Sequence, residues 1–271
     1  DKLNGRYVGL DTMLNEGKEL LAQGDDSFMK IEIDPEEFKV LIFTSGTTSQ
    51  SKGVMLCNRN LAENVNAVSA AVKLYPTDRL FSVLPLHHTY ESSIGFLVPM
   101  ACGCSIAVCQ GLKHIVPNLK ETKPTAMLAV PLLIENLYKK INSSIEKGGK
   151  SGLVNSMIHV TNALKTVGID IKRKVFNEIY ENLGGNLRFI VSAAAPIDAK
   201  VGKWVQDIGI TFLQGYGLTE TAPVVAVRPV KKPIFGTVGS AIKGVEVRII
   251  DDEGNILPAG KKGEVQVRGG I

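Results

Sequence analysis

The residues best suited to chemistry fall in TSGTTSQSKG, positions 44–53. Thr44, Ser45, Thr47 and Thr48 supply hydroxyls, Gly46 supplies backbone freedom, and Lys52 supplies one positive charge, with no large side chain among them. Backbone N–H groups and hydroxyls at the end of a strand can wrap an anion, and a lysine adds charge. The chemistry this points to is polyphosphate binding. A Walker A loop is a poor match: it needs glycine before the lysine and a hydroxyl after it, where this chain has Ser51 and Gly53. A polar surface linker would explain the composition, but not its place directly after an apolar run.

Other stretches carry candidate groups. LPLHHTYE, at 84–91, offers His87 and His88, a pair that alone reads as an ordinary loop. VSAAAPID, at 191–198, offers bare backbone at Ala193, Ala194 and Ala195, approachable by a flat ring. FLQGYGLTETAP, at 212–223, sets Tyr216 between Gly215 and Gly217, then a hydroxyl at Thr219 and a carboxylate at Glu220. Tyr216 could stack on a base, and Glu220 could take a hard cation that bridges phosphates.

The elements that must position these groups are short. Residues 39–43 read as a buried strand, and the apolar positions Leu61, Val65, Val68 and Val72 as a helix capped by Asn58. Further strands are expected at 79–84, 105–109, 126–130, 187–191 and 210–213. Helices are expected at 94–100, 114–121, from Pro131, over 153–167 and 171–182, and at 198–206, with a flexible Ser/Gly/Lys loop at 143–153. Alternation of short apolar strands with helices predicts an α/β fold, a doubly wound and mostly parallel sheet with helices on both faces. In such a sheet ligands sit outside the carboxyl ends of strands, where these loops fall. From Gly236 the pattern changes to VEVRIID and GEVQVRG, which predicts an antiparallel hairpin opening a small β subdomain. The expected organisation is 1–76, the end of a first α/β lobe with the phosphate loop; 77–232, a second lobe; and 233–271, the start of the β subdomain.

The net charge of +4 comes from 31 basic and 27 acidic residues, without a basic track for nucleic acid. Cys57, Cys102, Cys104 and Cys109 lack CxxC spacing and read as core thiols of a reducing compartment. No stretch reaches the length of a membrane span.

In this order the motifs resemble the adenylate-forming family of acyl-CoA synthetases, adenylation domains and luciferase. TSGTTSQSKG resembles its phosphate signature, HH and GYGLTET two later motifs, and GTVG with GEVQVRG its β-subdomain entry. LPLHHTYE looks most like the long-chain fatty acyl-CoA ligase branch. The resemblance covers essentially the whole chain, and implies a central piece of a longer protein with little turnover alone, lacking the family's ribose-binding Asp and C-terminal Lys. It implies that Thr44, Ser45, Gly46, Thr47, Thr48 and Lys52 hold the ATP phosphates, and that Thr44 and Glu220 contact Mg2+. Ala193, Ala194 and Ala195 would lie along the adenine, with Gly215, Tyr216 and Gly217 beside it and Thr219 near the α-phosphate. His88, Tyr90 and Gly215 would line the acyl site, and Lys52, His88, Thr219 and Glu220 would carry catalysis. Ser49 and Ser51 depart from the family's usual Gly and Pro, which implies a looser loop.

The implied reaction activates a long-chain fatty acid as acyl-AMP, releases pyrophosphate, then passes the acyl group to coenzyme A. Alternatives are an adenylation domain that loads a carrier protein, a ligase for aryl or short acids, and a nucleotide-binding regulatory module. Expected partners are fatty acid, ATP and coenzyme A, with no nucleic acid. The expected location is cytoplasmic, with peripheral membrane contact open to a protein that makes a long-chain product.

Overall fold

The computed structural model describes residues 7–44, 51–229 and 233–271. Ser45, Gly46, Thr47 and Thr48 of the expected phosphate loop lie outside these residues. The chain divides into two compact units, Asp1–Glu37 and Phe38–Ile271. The first holds α1 (Leu10–Ala22) and a 3-10 turn at Ser27–Lys30, neither with a buried residue.

The second unit opens with an antiparallel hairpin, β1 (Phe38–Thr44) and β2 (Lys52–Cys57), whose register sets Thr44 opposite Lys52. Then follow α2 (Asn58–Ala71), β3 (Arg79–Ser82), a π-helix at Tyr90–Leu97 that runs into α3 (Val98–Ala101), and β4 (Ser105–Val108). Next come α4 (Ile115–Thr122), β5 (Ala126–Ala129), α5 (Pro131–Lys147), α6 (Ser151–Thr166), α7 (Lys172–Val175) and α8 (Asn177–Asn182). The remainder is β6 (Phe189–Ser192), α9 (Ala199–Asp207), β7 (Thr211–Gly217), β8 (Val224–Val227), β9 (Ser240–Ala241), β10 (Glu246–Ile250) and β11 (Glu264–Arg268).

Seven strands form the central sheet in the order β4-β3-β5-β6-β7-β8-β9, parallel from β4 through β7 and antiparallel at β8 and β9. The parallel strands are short and apolar on both sides because helices cover both faces. Alternate residues divide between two cores. Phe81, Met127, Ile190 and Phe212 pack with Leu119, Ile134 and Val205 of the helices on one face. Leu80, Leu128, Val191 and Leu213 pack with Val65 and Val68 of α2 and Ile94 of the π-helix on the other. At the N-terminal ends of the strands, the nearly buried Asp78 accepts from the Arg188 guanidinium at 2.6 Å and from the Thr125 hydroxyl at 2.7 Å. Burial would raise the Asp78 carboxyl, but Arg188, Thr125 and the Tyr75 backbone together hold it below its ordinary value. As expected from the sequence, β10 and β11 form a separate antiparallel pair.

Local expectations changed in places. β1 is not buried: it belongs to the two-stranded hairpin, and Leu41 and Phe43 are exposed. Residues 143–153 are not a flexible loop, since α5 continues to Lys147 and α6 begins at Ser151. Asn58 is the first helical residue rather than the cap, and Asn60 reaches back to accept from the Cys57 N–H at 2.9 Å.

Candidate active site

The carboxyl ends of β3, β5, β6 and β7 meet at one cavity of about 430 Å³. His88, Tyr90, Ala193, Ala194, Gly215, Tyr216, Gly217 and Thr219 all line it. Three loops far apart in sequence therefore share one space. Most of the rest of the wall is apolar, with Val68 from α2 and Val72 just after it, Leu80 from β3, Ile94 and Val98 from the helix after the histidines, and Phe189 from β6. Ala195, Glu220, Thr44 and Lys52 are not among the lining residues. Ala195, Glu220 and Lys52 are exposed, and Thr44 is half-buried.

Each contributor is held by its own neighbours. Val191 and Ser192 pair with Leu213 and Gln214, which brings the alanine loop beside Gly215. Ala194 has a positive φ of 73°, uncommon for a residue with a side chain. Gly217 admits no side chain at all: a Cβ there would lie 1.7 Å from the Pro223 carbonyl oxygen. That oxygen accepts from the Leu218 N–H at 3.0 Å and from the Thr221 hydroxyl at 2.7 Å, so the turn carrying Thr219 and Glu220 is tied down. Val54 and Leu56 of β2 pack against Ala222, just beyond that turn.

The two histidines part company. Their rings lie 4.4 Å apart between centroids, but His87 lines a second cavity of about 630 Å³ with Ile42, Phe43 and Phe96. Tyr90 donates its hydroxyl to the Val191 carbonyl at 3.0 Å. Burial raises the Tyr90 phenol, and the neighbouring Glu91 adds to the effect.

Sequence reasoning missed two buried polar residues. Glu91 is fully buried in the cavity wall, where it accepts from the Ser82 hydroxyl. Asn64 of α2 is fully buried as well; its amide donates to the carbonyls of Thr221 and Val224, each at 2.9 Å, and accepts from the Val224 N–H at 3.3 Å. A polar residue between the apolar positions Leu61, Val65 and Val68 of a helix was the available signal for Asn64. Among the described residues no cluster of three or more His, Cys, Asp or Glu could hold a metal ion, and no helix is long and apolar enough to cross a membrane.

The family model described as AMP-binding enzyme matches residues 7–270, and the chain belongs to that family. Among its curated relatives is long chain acyl-CoA synthetase 6, peroxisomal, of Arabidopsis thaliana, 33% identical over 98% of this chain and 39% of that protein. Another from Arabidopsis thaliana is the chloroplastic long-chain-fatty-acid–[acyl-carrier-protein] ligase AEE15, 28% identical over 95% of this chain and 41% of that protein. Human long-chain-fatty-acid–CoA ligase 1 is 30% identical over 87% of this chain and 35% of its own length. The chain thus spans about two fifths of the length of these relatives. The solved structure of ATP-bound MatB from Rhodopseudomonas palustris superposes with a TM-score of 0.67 at 24% identity, over 89% of this chain and 41% of that one, and shares its fold.

Proposed function

We propose that this chain forms the acid- and nucleotide-binding core of an ATP-dependent acid–thiol ligase acting on long-chain fatty acids. The observation that carries the reading is the single apolar cavity onto which His88, Ala194 and Tyr216 all open. An apolar wall suits an alkyl chain, and the bare backbone at Ala193 and Ala194 suits a flat ring.

The physical task of such an enzyme is to bring a carboxylate up to the α-phosphate of ATP, two anions at short range. The oxygen of the acid attacks the α-phosphorus, the bond to the β-phosphate oxygen breaks, and pyrophosphate leaves; coenzyme A then takes the acyl group from AMP. His88 orients the acid, which needs no general base because it is already ionised at neutral pH. Thr219 steadies the α-phosphate, and Lys52 and the residues of the 44–53 loop balance the charge of the departing phosphates. Thr44 and Glu220 are hard oxygen donors, the kind that Mg2+ takes, and Glu220 is exposed next to the cavity-lining Thr219. When bound there, Mg2+ would neutralise phosphate charge.

The test is acid-dependent exchange of pyrophosphate into ATP by the full-length protein, with palmitate set against octanoate and benzoate. Exchange that needs the long acid is the expected result, and ATP breakdown without acid would overturn the reading. A second reading, transfer to a carrier protein, is favoured by the likeness to the Arabidopsis carrier-protein ligase. Offering coenzyme A and a phosphopantetheinylated carrier in parallel separates the two.

A further inference from the structure

Glu91 is an acid in a place where an apolar cavity needs none. It is fully buried, with one carboxyl oxygen accepting from Ser82 on β3 and the other without a partner among the described residues. Its side chain folds back along its own helix onto Gly95. A Cβ at Gly95 would lie 2.7 Å from the Glu91 carboxyl carbon and 2.8 and 2.9 Å from its oxygens. The carboxyl fits only because residue 95 has no side chain.

The helix it braces is itself unusual. The Ser92 N–H donates to the His88 carbonyl four residues back, at 3.0 Å, whereas the Val98 N–H donates to Ser93, five back. Such widened turns are rare and concentrate at functional sites, and their register needs outside support. Here the register sorts side chains: His88, Tyr90 and Glu91 face the cavity with the alanine loop, while His87, Ser92 and Phe96 face the second cavity. Both histidines precede the helix, and the Ser92 N–H that donates to the His88 carbonyl ties them to its first turn, so a slip by one residue, roughly a quarter turn for each helical side chain, would shift that anchor.

We propose that Glu91 is the positioning residue of the acid site: held between the Ser82 hydroxyl and the space left at Gly95, it fixes the helical register that turns His88 and Tyr90 into the cavity and keeps His87 out. This rests on the reading of that cavity as the acid's site. Burial pushes the Glu91 carboxyl up to about 7, against the lowering effect of the Ser82 hydroxyl, which suits a hydrogen-bonded clamp rather than a fixed charge.

The experiment follows the imidazole NMR resonances of His87, His88, His114 and His159, the four histidines of the chain. Gly95→Ala pushes the carboxyl off Ser82 without altering it, and Ser82→Ala removes the other half of the clamp at almost constant volume. Both should shift His87 and His88 and leave His114 and His159 in place, while Glu91→Gln, which keeps an acceptor for Ser82, leaves all four. Titration of the same variants with palmitate and with AMP gives the second measurement. Gly95→Ala and Ser82→Ala should weaken palmitate about tenfold, the effect of one buried hydrogen bond, with AMP changed less than about twofold, and Glu91→Gln should bind both as the parent does. Unmoved His88 resonances in both Gly95→Ala and Ser82→Ala would overturn the proposal, as would equal loss of palmitate and AMP. If the histidines shift as expected but the parent binds no palmitate, the positioning role stands and the acid-site reading falls.

Discussion

The Tyr90 hydroxyl donates to the Val191 carbonyl across 3.0 Å, joining the helix that follows the histidine pair to the strand that delivers Ala193 and Ala194. Two loops proposed to hold different substrates are thereby braced against each other. Replacing Tyr90 by Phe keeps the ring and removes the bond. It should cost about 1 kcal/mol of stability and raise KM for the acid more than KM for ATP. Urea melts and steady-state exchange kinetics check the two parts.

Glu91 makes stability depend on pH. Its carboxyl, ordinarily near 4.5, is raised to about 7, chiefly because burial disfavours the charge. The unfolded chain loses this proton near the ordinary value and the folded chain holds it longer. The contribution of the neutral acid is therefore fully present below about 4.5 and is lost as the pH rises through about 7. The full loss is on the order of 3 kcal/mol. Tyr90, the adjacent ionisable group, is raised as well and stays neutral in this window. Glu91→Gln has no proton to lose, so its unfolding midpoint should fall less than the parent's between about pH 5 and pH 8.

Ala194 tolerates a positive φ of 73°, but a β-branched side chain there would clash with its own backbone. Ala194→Val should cost about 2 kcal/mol and weaken AMP, whereas Ala194→Gly should stay within about 1 kcal/mol of the parent. Thermal melts with and without AMP separate the backbone effect from the loss of binding.

Gly217 is more demanding. A Cβ 1.7 Å from the Pro223 oxygen cannot be accommodated by a rotamer change, because that oxygen is backbone and already accepts two hydrogen bonds. Gly217→Ala should cost about 3 kcal/mol or more, with the damage concentrated at the turn carrying Thr219 and Glu220. Urea denaturation gives the first number, and amide exchange at 218–222 locates it.

Much of this was legible in the sequence, for a physical reason. Parallel strands covered on both faces must be short and apolar throughout, so FIVS at Phe189–Ser192 and AMLA at Ala126–Ala129 announce themselves. Ala193 and Ala194 follow the first of them directly, at the carboxyl end of the strand, where ligands of such sheets gather. FKVLIFT misled because an apolar run reads the same whether or not its faces are covered, and here Leu41 and Phe43 are exposed. Ser143–Leu153 misled because glycines and serines end helices as readily as they make loops, and the gap between α5 and α6 is only residues 148–150. Glu91 could not be read at all. After HHTY it looks like a surface charge, and its burial depends on Ser82 nine positions earlier and on a missing side chain at 95.

Asn64 binds α2 to the segment around Thr221 and Val224 through three hydrogen bonds, and the same helix gives Val68 to the cavity wall. Helix and turn should therefore open as one cooperative unit, with matching amide protection along both. Loosening α2 anywhere along its length would then be felt at Thr219 as faster breathing of the turn that carries it, even where no altered atom comes near the cavity.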